Sequence, residues 1–187
     1  GQLSLAPPEL FINNSAMTLA RWPNSEYARI ESVVGKTEDS FSFTAMDAVD
    51  HVKRWANAKD VWAYGFWYWD WANAGVSLTK IDAQSGAMTA ASKEDVRAGQ
   101  RFYVYNLLEE LDTANEFYLD RETGILYFYP AGKINVSDDI LLSLSTKPLL
   151  EFINTGNIAI EGLEIGFTRG NGIHAEKSDG ITVENCK

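Results

Sequence analysis

Cysteine is almost absent from this chain of 187 residues: Cys186 stands alone, which excludes an internal disulfide framework and any site built from several thiolates. Histidine is nearly as scarce. With only His51 and His174 available, an imidazole-based zinc site is not expected, and no metal and no cofactor is assigned. Basic residues are outnumbered, 16 Lys and Arg against 26 Asp and Glu, for a formal net charge of -10. That sign is wrong for a protein that holds a phosphate backbone, so nucleic acid is excluded as a partner. No apolar run approaches the ~20 residues that a membrane-spanning helix needs. Phosphate-binding glycine loops and nucleophile elbows are also missing. The start at Gly1-Gln2, without Met, points to a trimmed chain, so the lack of a visible signal peptide carries little weight.

What the chain has in quantity is aromatic side chains: six Trp, eight Tyr and nine Phe. Such rings build β cores, and their faces also stack on the apolar C–H faces of sugars. Their arrangement predicts an all-β fold with one minor helix. Leu10-Phe11-Ile12 and Ala16 to Ala20 read as a hairpin around Asn13-Asn14, because Asn tolerates the positive φ of a tight turn. Pro23 then ends the strand. Met46, Val49, Val52 and Trp55 recur at helical spacing and predict a helix over 44–58, with Thr44 or Asp47 as caps. Strands are expected at 40–43, 61–71, 75–81, 101–106, 116–119 and 125–129, the last two joined by a loop in which Gly124 takes the left-handed position. One helical turn fits 107–111.

From about residue 139 aromatics thin out, and short β-branched runs alternate with Asn, Gly, Ser and Asp. Ile158 to Leu163 superposes on Ile181 to Cys186 at an offset of 23 residues, with Glu161 on Glu184, Leu150 on Ile173 and the turn residues 155–157 on 178–180. A period of this size belongs to solenoids, whose units bury their apolar faces only against neighbours. Three apolar clusters per repeat, at 149–153, 158–160 and 163–165, fit the three faces of a parallel β-helix, with an antiparallel sandwich as the competing reading. The domain division expected is a β-rich, sandwich-like domain over 1–138, followed by the first coils of a right-handed parallel β-helix over 139–187. An open coil end exposes its apolar stack and is expected to self-associate.

The motifs at 7–24 (PPELFINNSAMTLARWPN), 61–82 (VWAYGFWYWDWANAGVSLTKID), 101–130 (RFYVYNLLEELDTANEFYLDRETGILYFYP) and 148–187 together resemble the pectin-lyase-like family. These are right-handed β-helix, carbohydrate-active proteins of bacteria, here the glycosidase-like members that carry a β-rich insertion ahead of the helix. One departure is Thr113-Ala114-Asn115, where the family pattern has a Pro-Gly turn. The resemblance implies a secreted protein, extracellular, periplasmic or at the cell surface, that acts on a polysaccharide or oligosaccharide as a glycoside hydrolase or a polysaccharide lyase. It also implies that the catalytic carboxylates lie beyond Lys187. A non-catalytic carbohydrate-binding or adhesive module is the alternative.

Within the chain, Trp67, Trp69 and Trp71 alternate with Tyr68 and Asp70. As a strand this stretch would turn the three indoles to one face and Tyr64, Phe66, Tyr68 and Asp70 to the other. One face must be core. The other would offer sugars a platform with Asp70 as acceptor, which makes Trp67, Tyr68, Trp69, Asp70 and Trp71 the candidate carbohydrate-binding residues. Glycoside cleavage uses paired carboxylates. Glu109, Glu110, Asp112, Asp120 and Glu164 are present, but no spacing singles out a pair, and none is assigned a catalytic role. Arg121 is expected to pair with Asp120, and His174 and Arg169 are read as structural.

Overall fold

The computed structural model describes residues 6–187, which fall into two compact units. One comprises most of the chain up to Val136; the other joins Pro8–Ala16 to Ser137–Lys187. The expected hairpin forms as β1 (Glu9–Ile12) and β2 (Ser15–Ala16), with Asn13 and Asn14 both at positive φ. It groups with the C-terminal unit, whereas the sequence placed it in the first domain. The hairpin is also shorter than expected. After Ala16 the chain leaves, and β3 (Thr18–Leu19) pairs elsewhere.

The larger unit is built from β4 (Arg21–Trp22), β5 (Ala28–Lys36), β6 (Ser40–Ala45), α1 (Val49–Arg54), β7 (Trp62–Gly65), β8 (Ala74–Asp82), β9 (Ala87–Ala91) and β10 (Arg101–Tyr105). All of its strand pairings in this group are antiparallel. Strand β10 closes the sheet. On one side it pairs with β7 along its length, from Phe102 opposite Gly65 to Tyr105 opposite Trp62. On the other it pairs with β5 at Arg101 and Phe102, and with β4 at Val104 and Tyr105. The ring β10-β5-β6-β9-β8-β7 is therefore a closed six-stranded barrel, which replaces the expected sandwich-like arrangement. Closure leaves the ring without an unpaired edge.

Alternation fills the barrel. Phe41 and Phe43 on β6, Met88 and Ala90 on β9, and Phe102 and Val104 on β10 point inward, as does Ile30 on β5. Val52 and Trp55 join the same core. The helix carrying Val52 is shorter than its periodicity predicts. Thr44 and Ala45 belong to β6, paired with Ser32 and Ile30, so α1 starts only after the positive-φ turn at Asp47. Trp55 falls in a 3-10 turn (Trp55–Asn57) that follows, and Met46 and Val49 stay exposed.

A second sheet of this unit joins β3, β11 (Glu116–Asp120) and β12 (Ile125–Tyr129), with β3 parallel to β11 and the expected β11–β12 hairpin turning at Gly124, φ +76°. Ahead of β11, Leu108–Glu110 forms the single turn of 3-10 helix. In the turn Thr113-Ala114-Asn115, Asn115 takes the positive φ.

In the C-terminal unit β13 (Ile140–Ser143) pairs antiparallel with β1. The next four strands carry the repeat. Strand β14 (Leu150–Ile153) is parallel to β16 (Ile173–Glu176), and β15 (Gly156–Glu161) to β17 (Asp179–Glu184). The register pairs Leu150 with Ile173, Ile158 with Ile181 and Glu161 with Glu184, the offset read from sequence. Only Gly fits at two contacts between repeats: a Cβ on Gly156 would lie 2.8 Å from the Asp179 carbonyl, and one on Gly170 2.5 Å from that of Thr146. The third cluster forms no strand, yet Leu163 and Ile165 exchange backbone hydrogen bonds with Lys187.

Candidate functional site

Strand β7 ends at Gly65, where β10 approaches so closely that a Cβ would lie 2.7 Å from that of Phe102. Beyond it, residues 66–73 form a loop fixed at several points. The Phe66 N–H donates to the Arg101 carbonyl and the Arg97 N–H to the Trp67 carbonyl, each at 3.0 Å. The Gln100 amide donates to the Tyr68 carbonyl, and an Arg101 N–H to that of Asp70. Trp67 is the anchor. It is 2% exposed, packs on Phe41, Phe43 and Phe102, and donates its indole N–H to the Ala74 carbonyl at 3.0 Å.

The expected common face of Trp67, Trp69 and Trp71 is thereby corrected. The strand ends before period-2 alternation reaches them, so Trp67 turns into the barrel and has no surface to offer a ligand. Trp69 and Trp71 turn out, 52% and 79% exposed. Their rings lie 6.3 Å apart at an interplanar angle of 20°, and Tyr68 meets Trp69 edge-on at 4.7 Å. Asp70 turns its carboxylate to solvent, beside two arginines. Its carboxylate lies 3.6 Å from Arg97 and 3.7 Å from Arg101, and Arg101 in turn covers the Phe66 ring at 3.7 Å. Two near-parallel exposed indoles held on a pinned loop can stack on apolar faces, while the Asp70 pairs fix the loop's shape.

The carboxylates scattered in sequence are sorted by the fold. Arg121 pairs with Asp60, not with its neighbour Asp120, whose Oδ1 instead accepts the N–H groups of Glu122 and Thr123 and shapes the β11–β12 loop. Glu164 pairs with Lys187 at 3.1 Å. His174 sits in β16 opposite Glu151, and the Arg169 N–H donates to the Ser145 carbonyl. Glu110 and Asp112, by contrast, line one cleft of about 260 Å3 together with His51, Trp22, Pro23, Asn24 and Ser25. Sequence reasoning missed this grouping. His51 and Glu110 are 59 residues apart, and only the docking of α1 against the 3-10 turn after β10 joins them.

Glu110 is 1% exposed, and one of its oxygens collects three contacts. Oε1 accepts the Trp55 indole N–H and an Arg54 N–H, each at 2.7 Å, and lies 3.0 Å from His51 Nδ1. Nearby, Glu116 is 2% exposed and receives the N–H groups of Arg21, Asp112 and Thr113. Burial nonetheless raises its carboxyl above the usual glutamate range, with those three donors acting the other way. Among the described residues no group of three or more His, Cys, Asp and Glu side chains is placed to hold a metal ion, and no helix is long and apolar enough to cross a membrane.

No protein-family model and no curated protein matches the chain. Among solved structures, one named "Glycoside hydrolase" matches with a TM-score of 0.64 at 18% identity, over 88% of this chain and 32% of that one. At that identity the likeness is one of fold, and the chain spans about a third of the protein it matches. The chain shares its all-β fold with a segment of a glycoside hydrolase.

Proposed function

We propose that this chain is part of a secreted, bacterial polysaccharide-active protein of the glycoside hydrolase type, in which it serves recognition and support. In this reading the 23-residue parallel repeat is the beginning of a right-handed, pectin-lyase-like β-helix, and the barrel is an insertion that presents a glycan platform. The observation that carries it is the pair of exposed, near-parallel indoles of Trp69 and Trp71 on a loop anchored by the buried Trp67. Exposed tryptophan costs solvation that a purely structural loop would avoid, and paired flat rings suit the apolar faces of consecutive sugars. The fold shared with a glycoside hydrolase supports the same class of ligand. The protein would work outside the cytoplasm, in the periplasm, at the surface or beyond, where polysaccharide is met.

A second reading, a carbohydrate-binding or adhesive module without catalysis, is favoured by one feature. Asp70, the carboxylate nearest the platform in sequence, is held between Arg97 and Arg101, an arrangement suited to positioning and not to proton transfer. Affinity electrophoresis of this chain in gels cast with plant and bacterial polysaccharides tests the platform. Retardation by at least one glycan, lost in the Trp69→Ala, Trp71→Ala double variant, is the expected result; retardation unchanged in that variant sinks the proposal. A parallel hydrolysis assay on the longer protein separates the two readings, since the adhesive module would bind and leave the glycan intact.

A further inference from the structure

The cleft lined by Trp22, His51, Glu110 and Asp112 is separate in residues from the Trp69–Trp71 platform, and its polar groups are organised around the buried Glu110. The Arg54 Nη2 nitrogen lies 2.7 Å from Glu110 Oε1 and 2.7 Å from His51 Nδ1. Its two hydrogens serve both partners. Arginine only donates, so we assign Nδ1 as the acceptor of an Arg54 N–H, with Arg54 bridging Nδ1 and Oε1 across their 3.0 Å approach; that assignment puts the ring proton on Nε2. Trp55 and Arg54 both donate to Oε1. The bonds that hold Glu110 thus fall on one oxygen, leaving Oε2 as an acceptor in a side chain that is 99% withdrawn from solvent yet lines the cleft.

The result is a donor, His51 Nε2–H, beside an acceptor, Glu110 Oε2, in a recess walled by the Trp22 indole. That ring lies 5.1 Å from the imidazole and 5.7 Å from Trp55. On the rim the Asn24 amide N–H groups are committed to Asp112 Oδ1 and Thr113 Oγ1, at 2.8 and 2.7 Å. The Asn24 carbonyl oxygen and the rest of the Asp112 carboxylate remain as further acceptors. A cation could satisfy the acceptors but would meet the Nε2–H and the Arg54 guanidinium. An anion could satisfy the donor but would face two carboxylates. A hydroxyl gives and takes a hydrogen bond at once, and a ring bearing several hydroxyls has an apolar face to lay on Trp22.

We propose that this cleft is a second binding site, for a single neutral sugar unit. Its volume, about 260 Å3, suits one ring and not a chain of them. The site does not depend on the platform: either can fail without the other.

The test is a side-chain NMR titration of the full chain with the methyl glycosides of glucose, galactose, mannose, xylose, arabinose, fucose and rhamnose, and with methylammonium and acetate as charged probes. The expected result is that at least one glycoside shifts the Trp22 and Trp55 indole N–H signals while neither ion does. Asp112→Ala, on the exposed rim, should weaken that binding about tenfold, as loss of one charge-assisted hydrogen bond would. Glu110→Gln should abolish it; should that variant not fold, Asp112→Ala and Asn24→Ala carry the test alone. Shifts with methylammonium in place of sugar, no shift with any of the seven glycosides, or unchanged affinity in both rim variants would overturn the proposal. Shifts confined to Trp69 and Trp71 would overturn it too, while upholding the platform.

Discussion

Trp67→Ala should cost the barrel several times what Trp71→Ala costs, although the two residues are four apart in one aromatic run. Trp67 is 2% exposed and touches Phe41, Phe43 and Phe102 at ring distances of 5.0, 5.6 and 6.1 Å. Removing so large a buried ring costs about 3–5 kcal/mol in transfer and cavity terms. The Ala74 carbonyl also loses the indole N–H at 3.0 Å, worth roughly 1 kcal/mol more. The sum, about 4–6 kcal/mol, is a quarter or more of the roughly 5–15 kcal/mol that holds a domain folded. Trp71 is 79% exposed, and its truncation should stay within about 0.5 kcal/mol. Trp67→Phe, which keeps a ring and drops the donor, should fall between them. Urea melts followed by far-UV circular dichroism measure all three without relying on tryptophan emission. A Trp67→Ala loss below about 1 kcal/mol, or equal losses at 67 and 71, would refute the assignment of anchor and platform.

Two further outcomes follow from buried and exposed groups elsewhere. Burial holds the Glu116 carboxyl above the ordinary value of 4.5. An acid that binds its proton more tightly when folded stabilises the fold below its unfolded pKa and loses that contribution as pH rises through the folded one. Urea midpoints should therefore fall as pH climbs through the window just above 4.5, and Glu116→Gln should flatten that segment of the curve; an unaltered slope would contradict it. In the C-terminal unit Leu149, Ile153, Leu163 and Val183 are 45–48% exposed. These exposed apolar side chains should drive the chain to self-associate, seen as a rising weight-average mass with concentration in sedimentation, and weakened by Leu163→Glu; a constant monomer mass would contradict it.

The repeat was legible because parallel pairing maps one residue onto another at a fixed offset. Leu150 with Ile173 and Ile158 with Ile181 are neighbours in sequence alignment and in space alike. The barrel was not. Strand β5 buries Ala28 and Ile30 and exposes almost everything after them, so it carries too little alternation to announce nine residues of strand. Closure also rests on β10 serving β7 on one edge and β4 and β5 on the other, a choice no local pattern encodes. The 61–71 run misled for a different reason. Aromatic residues are equally at home in a strand and in a loop that buries one of them as an anchor, and the informative residue was the one without a side chain, Gly65. Likewise the hydrophobic spacing that predicted a helix from 44 ignored the claim of β5 on Thr44 and Ala45.

The stretch from Asn106 to Arg121 explains why the motif at 101–130 is so closely spaced. Glu110 ties the turn after β10 to Trp55, Arg54 and His51. Glu116, six residues on, gathers the backbone of Arg21, Asp112 and Thr113. Arg121 then reaches the Asp60 carboxylate, which also accepts the Trp62 indole N–H, while the Asn106 amide donates to the Asp60 carbonyl. Glu110 and Glu116 are buried and Asp60 is largely so, and each would be costly without its partners. A shift of one residue between 110 and 116 would leave a buried carboxylate unmatched. The same constraint that fixes this spacing for folding leaves Glu110 with its bonds on one oxygen, in a side chain that lines the cleft. A binding group could be placed there without loosening the barrel, because the core already required the carboxylate.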